Sequence, residues 1–140
     1  MKALITEQTI WKIAASGFGI ISGIAIIAFM NQLNFILNPV DYSNSSTHFD
    51  PGKELIDSSV FLTGKVIAVL AGSFFCGAVI KLIYFSIELK FIIAAALVLL
   101  LVSFIDLVTA PYPAWYWIIS IGIYIPSAIF GYYIINYKRT

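Results

Sequence analysis

Few side chains in this sequence could carry out chemistry. The 140 residues include one histidine and one cysteine, and only 11% of them are charged. One cysteine permits no internal disulfide or CxxC redox pair. One histidine permits neither a bis-histidine haem site nor a multi-histidine metal site within a single chain. We expect His48 to be a solvated loop residue and Cys76 an inert packing residue, so no cofactor or metal is predicted.

Asp106 is the acidic residue closest to an apolar segment. An ionisable side chain inside a membrane is a functional candidate. Asp106, however, falls near the end of its segment, about one turn before Pro111, where headgroups and water can reach it. We expect an interfacial anchor that pairs with Lys65 at a similar depth, and a functional carboxylate is the alternative. A proton-coupled carrier would need a carboxylate nearer to mid-membrane.

The elements that hold these residues are four apolar segments. With 61% hydrophobic residues and a mean hydropathy of +0.97, the surface of the protein must face something other than water. A hydrocarbon core of roughly 30 Å needs about 20 helical residues. The sequence predicts one all-α domain, a four-helix membrane bundle with spans at about 10–30, 59–80, 91–108 and 114–137, and a long outer loop at 31–58.

Columns of small residues predict where these helices pack. A small residue at every fourth position allows two membrane helices to approach closely. The second span contains such a column, and the first span contains a GxxxG pair that we expect to be its partner. The predicted packing residues are Gly19, Gly23, Gly64, Ala68, Gly72 and Cys76. A dimer seam or a groove for a lipid tail is the alternative use of the same residues.

The charge distribution predicts the orientation. Basic residues near helix ends favour the cytoplasmic side, and six basic residues lie on one side of the predicted bundle against two, Lys53 and Lys65, on the other. Both termini are therefore expected in the cytoplasm and the long loop outside. An aromatic belt is expected at the outer end of the fourth helix, from Trp115, Tyr116 and Trp117. The net charge of +1 argues against a nucleic-acid partner.

Glycines and prolines recur along the chain in a layout made by Gly19, Gly23, Pro39, Pro51-Gly52, Gly64 to Gly77-Ala78, Pro113-Ala114-Trp115, Pro126 and Gly131. This layout resembles a class of small, uncharacterised bacterial four-span inner-membrane proteins. The resemblance covers most of the chain, and it departs from the class where Cys76, Ile80 and Lys81 interrupt the glycine-rich end of the second helix. It implies a multi-pass protein of the bacterial inner membrane and brings no activity with it.

The sequence points away from an enzyme, because the spans carry no nucleophile–base set, metal cluster or redox pair of the kind that catalysis requires. We expect a non-enzymatic accessory or structural subunit of a larger inner-membrane complex. Its partners would be membrane lipid and other subunits, the latter through the outer loop. The alternative is a small homo-oligomeric carrier, channel or lipid-handling protein.

Overall fold

The computed structural model describes residues 2–38 and 58–137. Within these ranges the chain forms four helices and no strand: α1 (Lys2–Leu37), α2 (Ser59–Ile83), α3 (Leu89–Thr109) and α4 (Ala114–Tyr137). All four are long and apolar enough to cross a membrane. The expected all-α architecture is confirmed, and the four spans indicate a multi-pass membrane protein.

The first helix is longer than the predicted span. It has 36 residues, about 54 Å at 1.5 Å per residue. The connection to α2 was expected to begin at Asn31, but the chain stays helical to Leu37 because no glycine or proline interrupts residues 31–38. Asn34 ties this last part to α2, since its Nδ2 donates to the carbonyl oxygen of Phe61 at 2.8 Å. The predicted loop residues 39–57, His48 among them, lie outside the described ranges.

The second helix is the centre of the bundle. Half of the residues in its most apolar 18-residue stretch are buried, against 17% to 28% of the residues in the corresponding stretches of the other three helices. Ser58 caps its first turn by accepting a hydrogen bond from the Phe61 amide at 3.3 Å. The helix packs against antiparallel α1 on one face and against parallel α4 on another.

Glycines bring α1 and α2 together. A Cβ atom added to Gly23 would lie 3.0 Å from the carbonyl oxygen of Gly72, and one added to Gly72 would lie 2.7 Å from the carbonyl oxygen of Gly23. Gly19 abuts Ile80 and the carbonyl oxygen of Cys76 in the same way. These contacts leave no room for a side chain at any of the three glycines.

A second glycine seam, not expected from the sequence, joins α2 to α4. A Cβ atom on Gly77 would overlap the carbonyl oxygen of Ala128, and one on Gly131 would overlap that of Phe74. On the N-terminal side of these contacts the Ser127 hydroxyl donates to the carbonyl oxygen of Leu70 at 2.7 Å. The central helix therefore carries two close-packed faces.

The two ends of the bundle carry different ion pairs. At the end where α2 meets α3, Glu88 accepts from Lys12 at 2.9 Å and lies 2.5 Å from Lys90. We call this the α2–α3 end. At the opposite end, where α1 ends and α2 begins, Lys65 pairs with Asp106. We call this the α1–α2 end, and it holds the candidate site.

Candidate functional site

The structure brings Lys65 and Asp106 together. The Lys65 Nζ atom donates to Asp106 Oδ2 at 2.7 Å and to the hydroxyl of Tyr112 at 2.6 Å. It also lies 4.8 Å from the centre of the Tyr112 ring. The third partner, Tyr112, comes from the turn between α3 and α4 and was not anticipated from the sequence.

The two charged side chains differ in exposure. The Lys65 side chain is 11% exposed and that of Asp106 is 55% exposed. Lys65 lies six residues into α2, about 9 Å along the helix axis. Its ammonium group is therefore held inside the bundle by two acceptors, whereas the carboxylate reaches the surface.

A cavity of about 280 Å³ lies beside the ion pair, between all four helices. It begins at Asn31 and Lys65 and extends to Tyr124, which lies ten residues into α4, about 15 Å along that helix. We call it the bundle cavity. Its polar lining consists of Asn31, Lys65, Ser103, Asp106, Tyr116, Ser120 and Tyr124.

Three buried polar atoms at this cavity have no hydrogen-bond partner among the described residues: Asn31 Oδ1, Ser120 Oγ and Tyr124 Oη. Tyr124 is 1% exposed and Ser120 is 2% exposed. The hydroxyls of Ser103 and Tyr116 lie near those of Tyr124 and Ser120, respectively, without reaching hydrogen-bond geometry. An unmet buried polar group costs about 1–3 kcal/mol, and most such groups in proteins are paired.

The fourth helix supplies the polar wall through its spacing. Tyr116, Ser120 and Tyr124 are four residues apart, so they lie on one face of α4 over two turns. The expectation that Tyr116 belongs to an outer aromatic belt is wrong, because its side chain is 2% exposed and faces the cavity. The spacing of polar residues at 116, 120 and 124 is the sequence signal that could have revealed this wall.

The remaining lining is apolar and partly faces outward. Ile24 and Ala28 from α1 and Val102 from α3 line the cavity and are exposed on the outside of the bundle. The cavity thus opens sideways between α1 and α3, toward the surface that lipid would cover. Ile27 and Val69 line the cavity on the side of the α1–α2 glycine seam.

A second, more open cavity of about 410 Å³ lies on the outer side of the ion pair. It shares Asn31, Lys65 and Asp106 with the bundle cavity and adds Gln32, Phe35 and Phe61. We call it the rim cavity. The Lys65–Asp106 pair therefore lies between the bundle cavity and the rim cavity.

The predicted packing residues lie outside this site. Gly19, Gly23, Gly72 and Cys76 meet in the α1–α2 seam, Ala68 is fully buried, and Gly64 abuts the Asn34 side chain. Within residues 2–38 and 58–137, no group of three or more His, Cys, Asp or Glu side chains could hold a metal ion.

Comparison with known proteins returns no relative. No family model, curated protein or solved structure matches this chain. The resemblance to small four-span bacterial proteins therefore stays a prediction.

Proposed function

We propose that this chain is a non-enzymatic membrane protein that holds a small polar or amphiphilic molecule in the bundle cavity. The observation that carries the proposal is the set of three unpartnered polar atoms, Asn31 Oδ1, Ser120 Oγ and Tyr124 Oη, around one cavity. Unmet groups gathered around one cavity are better explained by a bound ligand than by three separate packing faults. This favours the carrier or lipid-handling class over a purely structural one.

The chemistry of the lining supports binding rather than catalysis. Among the described residues that line the cavity, the only carboxylate, Asp106, is already bonded to Lys65. The other polar groups are hydroxyls and one amide, which orient a ligand without themselves exchanging protons readily at neutral pH. A hydroxyl nucleophile would need an adjacent base.

The proposed orientation puts the α1–α2 end outside the cytoplasm. The α2–α3 end gathers Lys12, Lys81 and Lys90, which the positive-inside rule assigns to the cytoplasmic side of a bacterial inner membrane. Labelling of single cysteines in a Cys76→Ala background tests this. Lys90→Cys should react with an impermeant maleimide only in opened cells and Asn38→Cys in intact ones. The reverse pattern would invert the proposed orientation.

The binding proposal is tested on protein purified from its own membrane in a mild detergent. Extraction followed by mass spectrometry should recover one molecule in a fixed ratio to the protein. Ser120→Leu, which fills the cavity, should lose it. Gly122→Leu is the matched control, because the same side chain two residues away enters open space. Equal recovery from Ser120→Leu and the wild-type protein would refute the proposal.

The accessory-subunit role and the homo-oligomeric carrier or channel both stay predictions. The two roles predict different co-purifying proteins when the tagged chain is expressed at its native level and purified. A second protein in constant ratio supports the subunit role, and a defined multiple of this chain alone supports self-association. Either result is compatible with a ligand in the bundle cavity, so the two tests are independent.

A further inference from the structure

We infer that the bundle cavity takes the carboxylate head of a long-chain amphiphile, and that this head replaces Asp106 as the counter-ion of Lys65. The inference rests on the proposed function and adds the chemical class of the ligand and the way it is held. It follows from the donors that face the cavity, the unequal exposure of the ion pair, the sideways opening and the size of the space.

Several hydrogen-bond donors face the cavity. An ammonium group has three N–H donors, and Lys65 uses two of them, on Asp106 and Tyr112, among the described residues. The unpartnered hydroxyls of Ser120 and Tyr124 add two more donors. A carboxylate only accepts hydrogen bonds and has about four lone-pair positions for them. A cationic head, in contrast, would meet the positive charge of Lys65.

Asp106 is the member of the ion pair that can leave. Its side chain is 55% exposed, so its carboxylate can turn toward water or headgroups when a second anion arrives. Lys65 is only 11% exposed and stays anchored by Tyr112. The Asn31 side-chain oxygen accepts but cannot donate, so the carboxylate is held by the donors of Lys65, Ser120 and Tyr124 and not by this atom.

The opening and the volume indicate an amphiphile rather than a free anion. The gap between Ile24, Ala28 and Val102 is apolar and faces the lipid side of the bundle. Pockets for complete drug-sized ligands measure about 300–1,000 Å³, and this one measures about 280 Å³. The space therefore suits a head and the first part of a chain, with the remainder of the tail lying in the gap.

Oleate, methyl oleate and acetate test this inference by titration of the detergent-solubilised full chain, followed by native mass spectrometry. Oleate has the chain and the charge, methyl oleate lacks the charge, and acetate lacks the chain. We expect saturable binding of one oleate, with methyl oleate at least about tenfold weaker because charge-assisted hydrogen bonds are lost. Acetate should not bind in the same range.

The variants separate the roles of the residues. Asp106→Asn should tighten oleate binding by about fivefold, since a half-exposed competing ion pair is removed. Tyr124→Phe should weaken it by about tenfold through loss of a hydrogen bond to a charged group. Tyr133→Phe, an exposed tyrosine on the same helix, is the control and should leave binding unchanged.

Several outcomes would overturn the inference. Equal binding of methyl oleate would mean that the head charge is not recognised, and equal binding of acetate would mean that no chain is needed. Unchanged or weaker binding by Asp106→Asn would show that Asp106 is not the displaced counter-ion. Each of these leaves the proposed function intact if Ser120→Leu still loses the co-purified molecule. Absence of that loss would remove the proposed function itself.

Discussion

Replacing Gly72 by alanine tests the packing of the two central helices. The added Cβ atom would lie 2.7 Å from the carbonyl oxygen of Gly23, whereas ordinary contacts begin at 3.4 Å. The backbone of α1 must therefore move back by about 0.7 Å, because a carbonyl oxygen in a helix cannot rotate out of the way. Overpacking of this kind typically costs about 1–3 kcal/mol.

Gly17→Ala supplies the reference for this measurement. A Cβ atom on Gly17 meets nothing within 4 Å. Both substitutions gain the same helix propensity, up to about 1 kcal/mol for alanine over glycine. This gain cancels when the two variants are compared. The difference between them should therefore equal the packing penalty alone, about 1–3 kcal/mol.

Unfolding by increasing SDS in mixed micelles measures this difference in the free energy of unfolding. Gly72→Ala should unfold at a lower SDS fraction than Gly17→Ala, and the larger Gly72→Leu should prevent normal accumulation of the protein. Equal unfolding of the two alanine variants would mean that Gly72 faces lipid. In that case the α1–α2 seam described above would be wrong.

Two further predictions concern the ion pairs. A double-mutant cycle with Lys65→Met and Asp106→Leu should give a coupling free energy of about 1 kcal/mol in unfolding experiments. The value is small because Asp106 is more than half exposed. Additive effects of the two substitutions on the free energy of unfolding would contradict the pairing. Hydrogen bonds from Lys90 and Lys12 lower the pKa of the Glu88 carboxyl from 4.5 to about 2. Its contribution to stability should thus be complete above pH 4.5 and disappear as the pH falls through about 2, and Glu88→Gln should abolish this pH dependence of thermal unfolding.

The helices could be predicted because hydropathy and length suffice for membrane spans. The apolar segments coincide with α2, α3 and α4 to within about three residues at each end, and a membrane span must form its hydrogen bonds internally. The end of α1 was missed because hydropathy locates the lipid boundary and not the helix end. Asn31 and Gln32 are polar, yet nothing in them stops a helix.

The cavity was harder to predict than the packing. Asp106 and Lys65 are rare charged residues in an apolar sequence, so their pairing was expected. Glycines at four-residue spacing directly indicate a helix-packing face. A tyrosine near a helix end, in contrast, fits both a headgroup belt and a buried wall. Tyr116 and Tyr124 face inward only because of the rotation of α4 about its own axis. The close contacts of Gly77 with Ala128 and of Gly131 with Phe74 fix that rotation. That rotation depends on contacts between distant parts of the chain, which hydropathy does not report.

The position of Lys65 in the sequence has a consequence for biosynthesis. Its counter-ion follows 41 residues later, and chains grow at about 5–20 residues per second. Lys65 is therefore synthesised about 2–8 s before Asp106. During that interval neither Asp106 nor Tyr112 can pair with the ammonium group, so water and headgroups can solvate it at the membrane surface. The α1–α2 glycine seam can close before Asp106 and Tyr112 are available to pair with Lys65.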